Sequence, residues 1–133
     1  MFDTRFEMDY QGSYIGSSQT YTTARDLARF GLLYLNDGVW QGERLLPEGW
    51  SDFVAASAPA LPREDGRQGY GAQFWLLDRL PGVPKGTYTT AGNKGQFSTI
   101  IPNENMVVVR TGVDPNGIRW QTDKFIADVI RVF

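Results

Sequence analysis

Residues 96–111 read Gln-Phe-Ser-Thr-Ile-Ile-Pro-Asn-Glu-Asn-Met-Val-Val-Val-Arg-Thr. Two apolar runs, Gln96–Ile101 and Met106–Thr111, flank a turn at Pro102–Asn105. β-Branched residues favour strands, and a turn between two such runs is typical of a β-hairpin. The sequence therefore predicts two antiparallel strands in its last third.

Strand patterns continue upstream, and helix patterns flank them. Tyr70–Leu77 and Thr87–Ala91 predict two further strands, separated by a turn rich in Pro and Gly. Apolar residues at helical spacing predict helices over Thr23–Leu35, Pro47–Ala56 and Trp120–Phe133. The order helix, helix, strands, helix indicates an α+β fold, in which helices flank an antiparallel sheet of three to four strands.

The N-terminal segment, residues 1–20, is polar, aromatic and rich in Gly and Ser, which predicts an irregular loop. Its carboxylates Asp3, Glu7 and Asp9 raise the alternatives of an acid/base pair or a calcium loop. Their spacing lacks the Gly and the closing Glu of an EF-hand loop, so a solvated segment is the favoured interpretation. Thr23 and Asp26 match a capping box at the start of the first helix.

The 133 residues fit one domain that can bury a core. The chain has no Cys and no His, which excludes disulfides, thiolate nucleophiles, a Ser-His-Asp triad and His-ligated metals. A net charge of −2 without a basic run argues against a nucleic-acid partner. No apolar stretch approaches the length of a membrane span.

Four tryptophans raise the alternative of a sugar-binding platform. Trp50 and Trp75 fall on apolar faces of a predicted helix and a predicted strand, so we expect both in the core. Trp40 and Trp120 flank turns, and they are the better candidates for exposed contacts.

Six segments carry a family resemblance: GSSQTYTTARDLARFGLL (16–33), DGVW (37–40), LLPEGW (45–50), YGAQFW (70–75), AGNKGQ (91–96), and Ile101-Pro102 with Val107–Arg110. In this order they resemble the beta-lactamase-related serine hydrolases, which include class C beta-lactamases, DD-peptidases, esterases and nylon-oligomer hydrolases. The resemblance covers nearly the whole chain, but only about the last third of a typical member. It implies that residues 1–133 form a single domain that is an incomplete, C-terminal fragment of a larger beta-lactamase/transpeptidase-like domain.

Members of this family use a Ser-x-x-Lys nucleophile motif, a Tyr-x-Asn motif, and a Lys-Thr-Gly or His-x-Gly strand motif. No Ser in this chain is followed three residues later by Lys, so no catalytic residue is predicted here. Tyr34-Leu35-Asn36 matches the second motif by letter, but it ends an apolar helix, where packing and helix termination are the expected roles. The family's chemistry implies no metal and no other cofactor.

Asn93-Lys94-Gly95 aligns with the third motif, and the resemblance implies that it lines a substrate-binding wall. Gly95 would let an acyl group approach the strand backbone, and the N–H of Gln96 would contribute to an oxyanion hole. Asn93 replaces a charged or titratable residue, and Lys94 would point to the opposite face of the strand. The alternative is a polar strand end or bulge. The predicted site residues are Asn93, Lys94, Gly95 and Gln96.

The resemblance implies acyl transfer to, or hydrolysis of, an ester, amide or beta-lactam. A small acyl substrate would bind once upstream residues supply Ser, Lys and Tyr, so the chain alone is predicted to be inactive. The alternative is a non-catalytic peptide- or sugar-binding module. The family's two N-terminal strands would pair beside Met106–Thr111, and without them the open edge predicts a homo-oligomer or a partner fragment. No apolar signal segment follows Met1, and members are cytoplasmic or exported, so the compartment stays open.

Overall fold

The computed structural model describes residues 3–16, 20–60, 67–115 and 121–133. Its first half contains two two-stranded ribbons and two helices, and its second half contains the main sheet and a C-terminal helix. The elements are β1 (Thr4–Phe6), β2 (Thr20–Thr22), α1 (Ala24–Leu35), β3 (Val39–Trp40), β4 (Glu43–Arg44), α2 (Trp50–Ala55), β5 (Gly69–Tyr70), β6 (Trp75–Leu76), β7 (Tyr88–Gly92), β8 (Gln96–Ile101), a 3₁₀ turn (Pro102–Glu104), β9 (Met106–Arg110) and α3 (Thr122–Val132).

The main sheet has five antiparallel strands in the order β5-β6-β7-β8-β9. The predicted hairpin over residues 96–111 is confirmed, with Ile101 opposite Met106 and the 3₁₀ turn between β8 and β9. Asn105 closes that turn in the left-handed region at φ 48°, which Asn tolerates better than most residues. The α+β class is therefore correct, although the sheet has one strand more than the upper limit predicted.

The prediction of one strand over Tyr70–Leu77 is wrong. The segment folds back on itself as β5 and β6, joined by a tight turn in which the Gly71 N–H donates to the Phe74 carbonyl at 2.8 Å. Gly71 allows this turn to press against α2, because a Cβ there would overlap the Val54 carbonyl oxygen. The apolar run suggested a continuous strand, but this long-range contact sets the fold of the segment.

Two apolar clusters fill the two faces of the sheet. On one face, α1 and α2 pack over the buried side chains Val54, Phe74, Leu76, Tyr88 and Ile100. On the other face, α3 packs over Leu77, Val83, Ile101 and Ile126. Consecutive residues Ile100 and Ile101 serve opposite clusters, since side chains alternate along a strand. The prediction that α1 and α3 flank the sheet is confirmed.

Helix α1 is held by a buried carboxylate at its first turn. The Thr23 hydroxyl accepts a hydrogen bond from the Asp26 N–H at 3.1 Å, which confirms the predicted N-cap. Asp26 is 1% exposed, pairs with Arg29 at 2.6 Å and accepts from the Asp3 N–H at 2.8 Å. Farther along the helix, a Cβ at Gly31 would lie 2.5 Å from Val107, so the glycine permits close packing of α1 on the sheet.

The expectation of an irregular N-terminal loop is also wrong, because β1 and β2 pair with Thr4 opposite Thr22. Asp9 accepts from the N–H groups of Gln11 and Ser13, so its carboxylate stabilises a local turn. Within the described part of the chain, no group of three or more acidic residues is placed to hold a metal ion.

The tryptophan predictions have mixed outcomes. Trp50 is half-buried and packs against the α1 side of the core, as expected, whereas Trp75 is 37% exposed on the opposite face of the sheet. Trp40 is half-buried, and Trp120 lies outside the described residues. Among the described residues, no helix combines the length and the apolar composition that a membrane span requires.

Candidate acyl-binding site

Residues Asn93–Gly95 form the turn between β7 and β8. The prediction that they lie on a strand is therefore wrong. Lys94 and Gly95 have φ values of 60° and 92°, and the Gly95 N–H donates to the Gly92 carbonyl at 3.3 Å. The predicted alternation of Asn93 and Lys94 across a strand is therefore wrong, because strand alternation stops at Gly92.

Gly95 is favoured by its left-handed backbone conformation and by contacts inside the chain. A Cβ at this position would overlap the Arg110 guanidinium and would lie 2.6 Å from an Asp114 carboxylate oxygen. The guanidinium donates to the Gly95 carbonyl and pairs with Asp114 at 2.7 Å. The Asp114 N–H donates to the Lys94 carbonyl at 3.0 Å. This pair fastens the turn to the residues that follow β9.

Gln96 also joins the turn to that segment. Its side-chain amide accepts from the Gly112 N–H at 3.0 Å and donates to the Gly112 carbonyl. The same amide nitrogen donates to the Asn93 carbonyl at 3.3 Å. Gln96 lies opposite Gly92 in the β7–β8 pair, and the carbonyl of Gly92 points toward β8. The peptide N–H of Gln96 therefore points toward β7.

A cleft of about 590 Å³ lies on the α3 face of the sheet beside this turn. Apolar side chains, the turn backbone and several polar or charged side chains line it together, so it could hold a molecule that carries both apolar and polar groups. The residues lining it are Gln68, Trp75, Leu77, Leu80, Ala91, Gly92, Asn93, Lys94, Gly95, Phe97, Asp114, Thr122 and Asp123.

The cleft borders an uncovered edge of β7. Strand β6 pairs with β7 only at Tyr88 and Thr89, and among the described residues no strand continues beside Ala91. The Leu77 N–H donates to the Thr87 carbonyl at 2.9 Å, so the Thr87 backbone points toward β6. Every second residue along the strand points the same way, and Ala91 is one of these residues. The N–H and C=O of Ala91 therefore point to the side where β6 has ended.

Ala91 was not among the predicted site residues. The sequence signal for an open edge at Ala91 was Gly71, because an isolated glycine within a strand pattern indicates a break or a bulge. The break leaves β6 too short to pair with all of β7. Asn93, Lys94 and Gly95 thus line one cleft with Ala91. The Gln96 side chain is instead hydrogen-bonded to Gly112.

Sequence and structure comparisons identify relatives of the chain. It is 29% identical over 127 residues to a 6-aminohexanoate-dimer hydrolase of Paenarthrobacter ureafaciens, an alignment that covers 89% of this chain and 31% of that protein. An uncharacterized protein of Alkalihalophilus pseudofirmus is 27% identical over 116 residues, covering 77% of this chain and 34% of its own length. No protein-family model matches.

A solved structure from Bacillus anthracis that carries the provisional name 6-aminohexanoate-dimer hydrolase superposes with a TM-score of 0.67. It is 22% identical, and the match covers 97% of this chain and 32% of that one. The resemblance to beta-lactamase-related hydrolases is confirmed. The chain spans about a third of the length of these relatives.

Tyr34 and Asn36, which match the Tyr-x-Asn motif by letter, have the packing and helix-ending roles that the sequence predicts. The Tyr34 ring packs against Phe30 and Phe74 at centroid distances of 4.9 and 4.8 Å. Asn36 caps the C-terminus of α1 and donates from its side chain to the Leu32 carbonyl at 2.9 Å. The Ser51 hydroxyl donates to the Tyr34 carbonyl.

Proposed function

We propose that this chain forms the acyl-binding wall of a serine hydrolase that acts on an ester, amide or beta-lactam. The observation that carries the proposal is the uncovered β7 edge at Ala91, which opens into a cleft beside the turn that aligns with the family's third motif. The alignment over 89% of the chain with an enzyme named for hydrolysis of an aminohexanoate dimer favours a linear amide as the substrate class.

The uncovered backbone of Ala91 offers both a hydrogen-bond donor and a hydrogen-bond acceptor to an amide substrate. Its N–H would donate to the substrate carbonyl oxygen, where negative charge develops when a nucleophile attacks the carbonyl carbon. Its C=O would accept an N–H from the substrate, as one strand does from another. We therefore propose the Ala91 N–H as the oxyanion donor, in preference to the Gln96 N–H, because the Gln96 N–H points into the β7–β8 pair.

The turn residues would act at the rim of the cleft. Asn93 is exposed and offers a neutral amide, so it could donate a hydrogen bond but could not supply charge. Lys94 is exposed beside it and would place a positive charge near one end of the substrate. The nucleophile would come from residues outside this chain, so the 133-residue chain is expected to be inactive by itself.

A chimera tests the proposal. This chain replaces the matched segment of the Paenarthrobacter hydrolase, and a fluorophosphonate adduct, read by intact mass, shows that the nucleophile is in place. Ala91→Pro removes the N–H, and hydrolysis of the aminohexanoate dimer should then fall about 100-fold or more. Ala91→Ser, which keeps the N–H, is the matched control.

Equal rates for the two variants in chimeras that form the adduct would contradict the assignment of Ala91. The chain alone should form no adduct with the fluorophosphonate or with a penicillin. An adduct on one of its own Ser or Thr residues would refute the expected inactivity.

A second candidate is a non-catalytic module that binds a peptide or a sugar. The exposed indole of Trp75 on the cleft wall favours it, because aromatic rings stack on the apolar faces of sugars. This alternative predicts that the isolated chain binds such ligands and that Trp75→Ala removes the binding. It also predicts that no chimera turns over substrate.

A further inference from the structure

Two carbonyl groups of the β7–β8 turn are held by residues far along the chain. The Asp114 N–H donates to the Lys94 carbonyl at 3.0 Å, and the Arg110 guanidinium donates to the Gly95 carbonyl. Arg110 and Asp114 also pair with each other at 2.7 Å. We call these two residues the brace. Because each carbonyl belongs to a separate peptide group, the brace fixes two successive peptide groups of the turn.

The turn has a backbone conformation that its own sequence does not favour. Lys94 and Gly95 are successive residues in the left-handed region, with φ values of 60° and 92°. Glycine adopts this region readily, whereas lysine lacks the short polar side chain that lets Asn or Asp adopt it. A sparsely populated conformation persists where the surrounding structure determines it, and such residues cluster at binding and catalytic sites. We therefore expect the conformation of Lys94 to depend on the brace.

The chemistry of the brace suits it to hold the turn. One nitrogen of the Arg110 guanidinium donates to the turn and another pairs with Asp114, so the planar fork of arginine makes both contacts at once. The Arg110 and Asp114 side chains are only 19% and 17% exposed, and salt screens a partly buried pair much less than an exposed one. Asp114 also lines the cleft together with Asn93 and Lys94. The brace thus connects the end of β9 to the cleft.

We propose that Arg110 and Asp114 are positioning residues, which hold Asn93 and Lys94 at the cleft so that these two side chains contact the substrate. The inference rests on the proposed function, because it takes the cleft to bind an acyl substrate. The brace acts through the turn, since its contacts are with the turn carbonyls. Without it, Lys94 returns to the negative φ that L-residues favour, and the side chains of the turn leave the cleft.

The brace does not hold the proposed oxyanion donor. Ala91 lies opposite Phe97 in the β7–β8 pair, so the sheet itself keeps the Ala91 N–H in place. Loss of the brace should therefore weaken substrate binding without slowing the chemical step. In kinetic terms KM rises and kcat stays the same, which is the signature of lost uniform binding. A loss of stability alone would not produce this split, because unfolded enzyme lowers kcat and leaves KM unchanged.

Kinetics of the chimera test the brace. Arg110→Ala should raise KM for the aminohexanoate dimer about tenfold or more and leave kcat within about twofold. Arg110→Lys keeps a positive charge beside Asp114 but loses the fork, so its KM should lie between the native and alanine values. Arg29→Ala is the matched control, because it removes an arginine from the ion pair with Asp26 and should leave KM unchanged. Equal KM values for Arg110→Ala and Arg29→Ala would overturn the proposal.

Nuclear magnetic resonance of the 133-residue chain tests the conformational step without any turnover. In Arg110→Ala the Asp114 amide should lose protection from hydrogen exchange, and the three-bond coupling of Lys94 should no longer be that of a left-handed residue. An unchanged Lys94 conformation would overturn the proposal.

The two proposals can fail separately. A chimera that forms the fluorophosphonate adduct but does not hydrolyse the dimer would refute the proposed function. The dissociation constant of the dimer, measured by calorimetry, then takes the place of KM. Equal dissociation constants for the native and Arg110→Ala chimeras would overturn the role of the brace, and a chimera that does not bind the dimer at all would overturn both proposals.

Discussion

Replacing Gly95 with alanine is the sharpest test of how the β7–β8 turn is held. Gly95 has a φ of 92°, a region in which an L-residue costs about 1–2 kcal/mol. The new Cβ would also displace the Arg110 guanidinium from the Gly95 carbonyl and disturb its pair with Asp114, which is 17% exposed. Losing hydrogen bonds in a partly buried ion pair adds about 1–3 kcal/mol. We expect a total loss of about 2–5 kcal/mol.

Gly86 supplies a matched control. It has a similar positive φ of 74°, but no atom lies within 4 Å of its added Cβ. Gly86→Ala should therefore show only the backbone strain, about 1–2 kcal/mol. Urea unfolding followed by circular dichroism measures both variants, and the difference isolates the contact of Gly95 with Arg110 and Asp114.

A double variant completes the test. In an Arg110→Ala background only the Asp114 carboxylate remains beside the added Cβ, so Gly95→Ala should cost less than it does in the native background. The reasoning is refuted if Gly95→Ala and Gly86→Ala destabilise equally, or if removing Arg110 leaves the loss at Gly95 unchanged.

Two further perturbations probe buried polar groups. Asp26→Ala removes the partner of Arg29 from a site that is 1% exposed, and should cost about 2–4 kcal/mol in urea unfolding. Asp128→Ala breaks the exposed pair with Arg131 and should cost less than about 1 kcal/mol; equal losses would contradict the role of burial. Burial raises the pKa of Tyr88 to about 12, so the folded state keeps this proton where an unfolded tyrosine loses it. Stability should therefore fall as the pH rises from 10 towards 12, and a Tyr88→Phe variant that shows the same fall would count against this cause.

The candidate site could be predicted from the sequence only in part. Asn93, Lys94 and Gly95 line a cleft, and their role in substrate binding stays a prediction. The reason given for Gly95 was close approach of a substrate, whereas the structure shows Arg110 in that space. Arg110 is fifteen positions away along the chain, and no local pattern connects the two residues.

The open edge at Ala91 was missed for a similar reason. Residues 70–77 read as one apolar strand, which would have covered all of β7. The break at Gly71 follows from its contact with the carbonyl oxygens of α2, and it leaves β6 only two residues long. A strand's own residues set its tendency to extend, but its length in the sheet depends on what packs beside it.

Elements with local signals could be predicted from the amino-acid sequence. Apolar periodicity fixed α1 and α3, the turn at Pro102–Asn105 fixed the β8–β9 hairpin, and the serine spacing showed that this chain carries no Ser-x-x-Lys motif. The uncovered side of β7 and the contacts of Arg110 became visible in the folded structure. Periodicity and turn chemistry act over a few residues, whereas a cleft and an exposed edge arise from contacts between segments distant in the chain.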